Sequence, residues 1–227
     1  KIPIIVGGTG FYIQAVLYGI EFEENEGDSS YREELETLAK QEGPVFLHSK
    51  LEEIDPVSAN AIHTNNVRRV IRALEYFNLS GKLISDHNEE QRKKESPYQY
   101  CYFVLNHDRK ILYERIDQRV DFMIKQGLVR EVEQLQNQGY KKELVSMQGL
   151  GYKEIISYLE GESTLDEAVY TLKRDTRHFA KRQLTWFKRE KDVIWINKNE
   201  YQDDKSLIMM AILEELKKKG IPVNSGW

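Results

Sequence analysis

Three short and almost wholly apolar runs, far apart in the chain, limit the possible folds more than any other feature. They are residues 2–6, 101–105 (CYFVL) and 193–196 (VIWI). Each run is too short for a buried helix and is typical of a buried strand. Buried strands separated by long helical stretches are typical of a mostly parallel sheet covered by helices. The sequence therefore predicts an α/β core in a chain that is predominantly α-helical.

Most of the remaining chain has apolar residues three and four positions apart, which predicts helices. The predicted helices cover 11–17, 31–41, 45–54, a segment beginning at Asp55-Pro56, 65–79, 108–138 (one bent helix or two, with Gly127 inside it), 153–159, 165–190 and 205–219. Residues 21–30 and 86–97 are polar or charged without an apolar period, and are predicted to be a loop and a linker.

Composition excludes some classes of protein. The net charge is −4, so overall charge does not indicate a nucleic-acid-binding protein, although a local basic face still could. The single cysteine, Cys101, cannot form an internal disulfide and is compatible with a reducing cytosol. No apolar stretch approaches the length of a membrane span. We therefore expect a cytoplasmic protein that does not associate with a membrane.

A Gly-Gly-Thr-Gly turn follows the first apolar run and leads into a predicted helix. The free N–H groups of a helix N-terminus suit an anion, and Thr9 adds a hydroxyl group. The turn matches neither of the common glycine-rich nucleotide-binding motifs. A plain strand-to-helix turn capped by Thr9 is the commoner use of such a residue, so both interpretations stay open.

The predicted helix over 165–190 has one apolar and one basic side. The apolar seam consists of Leu165, Val169, Leu172, Thr176, Phe179, Gln183 and Trp186. The opposite stripe consists of Arg174, Arg177, Lys181, Thr185 and Lys188. Residues 173–191 contain eight Lys or Arg side chains against two acidic ones. Since solvated helix faces normally mix signs, this basic stripe favours binding of a polyanion.

Two further arginine clusters could bind anions. Arg115 and Arg119 lie one helical turn apart, a spacing that lets two guanidinium groups hold a diphosphate. Ion pairs with nearby Glu114, Asp117 or Asp121 are the alternative. A second cluster, in the predicted 65–79 helix, consists of Arg68, Arg69 and Arg72. Surface ion pairing could explain that cluster too, but two separate basic clusters favour a long anion such as RNA.

The segment SMQGLGYKE is a glycine turn before a helix, with side chains that suit RNA. Gln148 and Tyr152 could contact a base, and Lys153 a phosphate. By itself the segment is only a helix start. The histidines have no metal-ligand spacing, and the sequence order does not nominate a catalytic triad.

Taken together, five segments resemble one family, the bacterial-type tRNA dimethylallyltransferases. They are PIIVGGTGFYIQAVLYG, DP-x-x-A-x-x-I-H-x-N-N-x-x-R-x-x-RALE, RI-x-x-RVD-x-M-x-x-x-GL-x-x-EV, SMQGLGYKE and TRHFAKRQLTWFKRE. The segments occur in the family's order over residues 2–195, which makes the resemblance specific.

The resemblance implies a P-loop NTPase/kinase-like α/β core, of which only part is present, with a mainly helical insertion. It implies transfer of a dimethylallyl group from dimethylallyl diphosphate to the exocyclic amine of the adenosine 3′-adjacent to the anticodon in tRNA. It also implies Mg2+ as cofactor. Residues 1–20 and 101–227 would belong to the core and its helical cover, and residues 21–100 to the insertion with its linker. We expect a monomer.

The resemblance also assigns roles to single residues. Thr9 would line the reaction channel, and Arg119 would act on the diphosphate as a catalytic residue. Further diphosphate ligands would be Arg115, Arg177 and Lys181. Residues assigned to tRNA binding are Arg68, Arg69, Arg72, Gln148, Gly149, Tyr152, Lys153 and Arg182.

The family's phosphate loop, of the GPT-x-SGKT type, and the aspartate that serves as general base precede the Gly-Gly-Thr-Gly segment. Neither is among these 227 residues. We therefore expect this chain to correspond to the C-terminal two thirds of the enzyme and to be inactive alone. Alternatives are an adenylate prenyltransferase that takes a free nucleotide, a non-catalytic RNA-binding fragment, and a nucleotide kinase.

Overall fold

A computed structural model describes residues 2–20 and 29–222, which form eleven α-helices and two β-strands. The helices are α1 (Gly10–Tyr18), α2 (Ser29–Gln41), α3 (Gly43–Ile54), α4 (Pro56–Ala61), α5 (Val67–Ser80), α6 (Ile84–Lys93), α7 (Arg109–Lys125), α8 (Leu128–Asn137), α9 (Tyr152–Leu159), α10 (Leu165–Phe187) and α11 (Lys205–Lys218). The strands are β1 (Tyr102–Asn106) and β2 (Val193–Asn197). Short 3-10 helices cover Val145–Gln148 and Lys198–Tyr201.

The two strands confirm the predicted parallel pairing. β1 and β2 run parallel, with Tyr102 opposite Val193 and Asn106 opposite Asn197. A parallel pair needs a long crossover connection, and here helices α7 to α10 supply it. The carboxyl ends of both strands therefore lie at one edge, where His107 and Lys198 follow directly.

The chain divides into two compact units, Lys1–Gly10 with Gln99–Trp227, and Phe11–Tyr98. The first unit, which contains the sheet, has a helical core whose buried residues include Val120, Val132 and Ile155. Gly127 has a φ of 100°, a left-handed conformation that favours glycine, and it separates α7 from α8. The segment 108–138 is therefore two helices.

The second unit is helical and has its own core. Its innermost side chains are Leu47, Leu51, Val70 and Leu74, from α3 and α5. Asp55 is also buried and caps α4 by accepting a hydrogen bond from the Ser58 N–H at 2.9 Å. The predicted assignment of 21–100 to an insertion domain, and of 1–20 with 101–227 to the core, stays a prediction.

Asp55 also ties α4 to the start of α6, since its second carboxylate oxygen accepts from the Ser85 N–H at 3.0 Å. Burial alone would raise the pKa of Asp55, but the hydrogen bonds from Ser58 and Ser85 outweigh it and lower the pKa. A buried carboxylate that is fully paired in this way stabilises the local structure, and its loss is costly.

Three predictions about local structure were wrong. Residues 2–6 form no strand, and Ile4 and Val6 are 83% and 90% exposed, because this run pairs with no strand in the described part of the chain. The predicted linker 86–97 is helical as far as Lys93, because the Asp55 carboxylate and packing of Ile84 on the core fix the start of α6. Ser29 and Ser30, predicted as loop, begin α2, while residues 21–28 lie outside the described residues.

None of the helices in the described ranges is long and apolar enough to cross a lipid bilayer.

Candidate functional site

The Gly-Gly-Thr-Gly turn lies against the C-terminal end of α10. The Gln183 side-chain amide donates to the Gly8 carbonyl oxygen at 2.8 Å. A Cβ atom added at Gly10 would lie only 2.2 Å from the Trp186 indole, so a larger residue does not fit there. Both glycines are therefore explained by close approach of the backbone to α10.

Thr9, between these two glycines, is exposed, and its hydroxyl group makes no hydrogen bond within the described residues. The threonine therefore does not cap α1 with its side chain. Among the described residues, its hydroxyl group is therefore free to contact a ligand. A place for Thr9 in a reaction channel stays a prediction.

The two arginines of α7 differ in their surroundings. Arg119 is exposed and has no ion-pair or hydrogen-bond partner among residues 2–20 and 29–222. Arg115, one turn earlier, donates from Nη2 to Asp203 Oδ2 at 2.7 Å and from Nη1 to Asp203 Oδ1 at 3.4 Å. The alternative that these arginines pair with Glu114, Asp117 or Asp121 is therefore wrong in the described structure.

Three basic side chains contact the Asp203 carboxylate at the carboxyl edge of the sheet. Besides Arg115, it contacts His107 Nε2 at 2.9 Å and Lys198 Nζ at 3.1 Å. The hydrogen bond from His107, then those from Arg115 and Lys198, hold the pKa of Asp203 well below its usual range. No sequence motif marked Asp203, because its partners His107 and Arg115 lie 96 and 88 residues away in the chain.

The basic stripe of α10 is partly neutralised. Within the stripe, Arg174 donates to Asp175 at 2.8 Å and Arg177 donates to Asp117 of α7 at 2.5 Å. Lys173, next to the stripe, also pairs with α7, with its Nζ 2.6 Å from Asp121 Oδ1. Asp117 and Arg119 are about 200° apart around α7, and the structure therefore does not bring Arg177 and Arg119 together.

Other α10 side chains remain available. Lys181 is exposed and pairs with no acid in the described ranges. Arg182 is also exposed, with its guanidinium carbon 5.7 Å from the centre of the Phe179 ring. Phe179 itself is 40% exposed, so the predicted apolar seam is buried at Leu172 but not at Phe179. An exposed aromatic ring beside a guanidinium group is suited to contacts with nucleic-acid bases.

The arginines of α5 also lack acidic partners among the described residues. Arg68, Arg69 and Arg72 are exposed, and none has an acidic partner in the part of the chain that the structure describes. Val70, Ile71 and Leu74 on the other side of the helix are buried in the core of this unit. Ion pairs among the described residues therefore do not explain these arginines.

By contrast, the polar groups of SMQGLGYKE have internal partners. The Gln148 amide donates to the Lys142 carbonyl oxygen, and the Tyr152 hydroxyl donates to Glu131. The Glu131 hydrogen bond raises the pKa of Tyr152. Lys153 Nζ lies 3.3 Å from Glu154 Oε1.

Gly149 lies in the turn after the first 3-10 helix, where an added Cβ would approach the Ser146 carbonyl oxygen to 3.4 Å. Contacts of this segment with RNA stay a prediction. Gln148, Tyr152 and Lys153 would have to exchange their present partners to make them.

Acidic and histidine side chains do not form a metal cluster in the described structure. Within residues 2–20 and 29–222, no three His, Cys, Asp or Glu side chains are grouped in an arrangement that could hold a metal ion.

A parallel strand pair joined by a helical crossover, in a mostly helical chain, defines an α/β protein, a class in which ligands bind at the carboxyl ends of the strands. The family model for IPP transferase matches residues 1–190, and the chain belongs to this family. It is 66% identical over 217 residues to a tRNA dimethylallyltransferase of Lachnoclostridium phytofermentans, an overlap of 95% of this chain and 69% of that protein.

Solved structures agree with this assignment. A tRNA delta(2)-isopentenylpyrophosphate transferase from Staphylococcus epidermidis superposes with a TM-score of 0.59 at 38% identity, over 96% of this chain and 70% of that one. A eukaryotic dimethylallyltransferase acting on tRNA gives a TM-score of 0.73 at 25% identity, over 100% of this chain and 59% of that one. This chain thus spans about two thirds of the length of its relatives.

The comparisons confirm three predictions: the family, the enzyme class of tRNA prenyltransferases, and the α/β fold with a P-loop-like core.

Proposed function

We propose that the protein carrying this chain transfers a dimethylallyl group from dimethylallyl diphosphate to tRNA. The acceptor would be the exocyclic amine of the adenosine 3′-adjacent to the anticodon. The amine nitrogen attacks C1 of the dimethylallyl group, the C1–O bond breaks, diphosphate leaves with the electron pair, and the amine loses a proton to a base. The observation that carries the proposal is the guanidinium of Arg119, which pairs with no acid in residues 2–20 and 29–222 and lies in a segment that matches the family.

Negative charge develops on the diphosphate as the C1–O bond breaks, and fixed donors at that position lower the barrier. Arg119 has all of its N–H groups available for this purpose. Arg115 uses two nitrogens for Asp203 and keeps its other donors. We assign the role of diphosphate ligand to both arginines, and we assign Thr9 to the place where donor and amine meet. The resemblance assigns the base to an aspartate outside these residues.

Arg177 and Lys181 complete the proposed set of diphosphate ligands. They differ in whether an existing ion pair must break before they can bind. Lys181 is available as it stands. Arg177 would have to exchange the Asp117 carboxylate for the diphosphate. We therefore expect Lys181 to contribute more to diphosphate affinity than Arg177.

Three arginines on α5 have no acidic partner in the part of the chain that the structure describes, and they favour a polyanion over a free nucleotide. We propose that Arg68, Arg69 and Arg72 contact the tRNA backbone. Arg182 is proposed as a further contact, through its guanidinium group beside the Phe179 ring. Gln148, Gly149, Tyr152 and Lys153 complete the proposed set of tRNA contacts.

We also propose Mg2+ as cofactor, a cytoplasmic location and a monomeric state. Proteins usually bind Mg2+ through one or two carboxylates together with phosphate oxygens. The described residues supply no ready cluster of three ligands, and no step above depends on the ion. Light scattering of the purified full-length protein tests the monomer, and activity with and without a chelator tests the metal.

The decisive experiment measures dimethylallyl transfer by the full-length protein to an anticodon stem-loop and to adenosine monophosphate. Arg119→Ala should lower kcat/KM by about 100-fold or more, the loss typical of removing a donor that stabilises developing negative charge. Thr9→Ala should also slow transfer. Arg130→Ala is the matched control, because Arg130 is an exposed arginine of the same unit that has no assigned role.

Other outcomes would contradict the proposal in different ways. Faster transfer to adenosine monophosphate than to the stem-loop would identify an adenylate prenyltransferase. Normal rates in both Arg119→Ala and Thr9→Ala would remove the site assignment.

A further inference from the structure

Asp203 connects elements that are far apart in the sequence. His107 follows β1, Lys198 follows β2, Arg115 lies on α7, and Asp203 itself precedes α11. All three basic side chains contact the one Asp203 carboxylate at distances between 2.7 and 3.1 Å. The carboxylate thus fixes α7 to the carboxyl edge of the parallel strands.

The contact restricts the orientation of Arg115. Asp203 accepts from both terminal nitrogens of the guanidinium, which is a bidentate arrangement. A bidentate pair fixes the guanidinium plane, whereas a single contact would let it rotate. A guanidinium has five N–H donors, so the Arg115 donors that do not point to Asp203 are held in a defined direction.

The direction of the free Arg115 donors matters because Arg119 lies on the same face of α7. Side chains four residues apart on a helix are about 5–6 Å apart at Cβ. Arg119 has no partner that would fix its guanidinium in the described structure. Of the two arginines, only Arg115 is therefore held in place before a ligand arrives.

The backbone dihedral angles at Asp203 and its neighbour also favour a functional role for Asp203. Gln202 and Asp203 have φ values of 52° and 60°, a left-handed conformation that is uncommon for Gln and better tolerated by Asp. Such conformations persist where surrounding contacts enforce them, and they cluster at functional sites. The strongly lowered pKa of Asp203 keeps the carboxylate ionised at neutral pH.

We infer that Asp203 is a positioning residue of the diphosphate site, which orients the Arg115 guanidinium so that Arg115 and Arg119 bind the diphosphate together. This inference rests on the proposed function, because it takes both arginines as diphosphate ligands. Asp203 itself, being an anion, does not touch the diphosphate.

The test measures binding of inorganic diphosphate to the full-length protein by calorimetry, and KM for dimethylallyl diphosphate and for the stem-loop. Asp203→Asn is the main variant, since Asn tolerates the left-handed backbone while losing the charge. It should weaken diphosphate binding about tenfold, by analogy with the lower end of the losses seen when a residue that orients a metal-binding side chain is removed. KM for the stem-loop should stay unchanged.

A double-mutant cycle separates orientation of Arg115 from general stabilisation. In the Arg115→Ala background, Asp203→Asn should change diphosphate affinity by less than about twofold, since the group it orients is gone. Asp121→Asn is the matched control, because it breaks the ion pair of α7 with Lys173 and leaves Arg115 untouched. That control should leave diphosphate affinity unchanged.

Three results would overturn either the positioning role of Asp203 or the proposed diphosphate site on which that role rests. Unchanged affinity in both Arg115→Ala and Arg119→Ala would show that the proposed site is wrong. If those variants weaken binding but Asp203→Asn does not, only the positioning role fails. The role also fails if Asp203→Asn weakens binding equally in the Arg115→Ala background.

If Asp203→Asn does not fold, Asp203→Glu keeps the charge and displaces the carboxylate by one methylene. The same loss of diphosphate affinity is expected of Asp203→Glu, and normal affinity would overturn the inference.

Discussion

Replacement of Gly10 by alanine tests the close approach of the glycine turn to α10. The added Cβ would lie 2.2 Å from Cδ1 and Nε1 of Trp186, well inside the 3.4–4 Å of an ordinary contact. Accommodation therefore requires a movement of more than about 1 Å, and the obstacle is a rigid ring. Phe187, the next residue, is buried with its ring edge-on to Tyr102, which limits how far this end of α10 can move.

The expected loss of stability in Gly10→Ala follows from two opposing effects. Inserting a methyl group into a packed region costs about 1–3 kcal/mol. Gly10 is also the first residue of α1, where the higher helix propensity of alanine returns at most about 1 kcal/mol. The net loss should be about 1–2 kcal/mol in the free energy of unfolding. For a protein of this size the melting temperature should fall by roughly 2–8 °C.

Thermal melting followed by circular dichroism measures this loss, with two neighbouring glycines for comparison. Gly7→Ala should be neutral, because no atom lies within 4 Å of the added Cβ. Gly8→Ala should have an intermediate effect, because its Cβ meets only the end of the flexible Gln183 side chain, at 2.3 Å. If Gly10→Ala melts at the same temperature as Gly7→Ala, the turn does not lie against Trp186 and the reasoning is wrong.

Two further predictions concern the helical unit Phe11–Tyr98. Asp55→Ala removes a buried cap and should lower the free energy of unfolding by about 1–3 kcal/mol in urea titrations followed at 222 nm. Because folding lowers the pKa of Asp55, its stabilisation is complete above about pH 4 and is lost as the pH falls through the folded-state pKa. The difference between wild type and Asp55→Ala should therefore shrink on acidification, and a constant difference would contradict the assignment. Replacing Arg68, Arg69 and Arg72 together by alanine should weaken tRNA binding and reduce the slope of log affinity against log salt by about 2 to 3. An unchanged slope would show that these arginines do not contact phosphates.

The sequence predicted those features that depend on local patterns. The runs at 101–105 and 193–196 form parallel strands, and the glycine at 127 ends one helix and begins the next. The helix start at Asp55-Pro56 follows from a capping carboxylate and a proline, both adjacent in the sequence. Each of these features can be read within about five residues.

Features that depend on distant partners could not be predicted in the same way. Residues 2–6 have the composition of a strand, yet a strand also requires a neighbour to pair with. The helix α6 has no apolar period of its own over most of its length, and Asp55, thirty residues earlier, fixes its start. In the candidate site, the motif indicated Arg119, but nothing near Asp203 showed that Arg115 would pair with it.

The division into two units has a consequence for spectroscopy. Trp186 and Trp195 belong to the unit formed by Lys1–Gly10 and Gln99–Trp227, Trp227 lies outside the described residues, and the sequence has no tryptophan within Phe11–Tyr98. Indole emission therefore reports on only one of the two cores. The α2–α6 core has no indole reporter. An emission melt could therefore look undisturbed while the helices of that core unfold. A tryptophan introduced into Phe11–Tyr98 would give the second core its own signal.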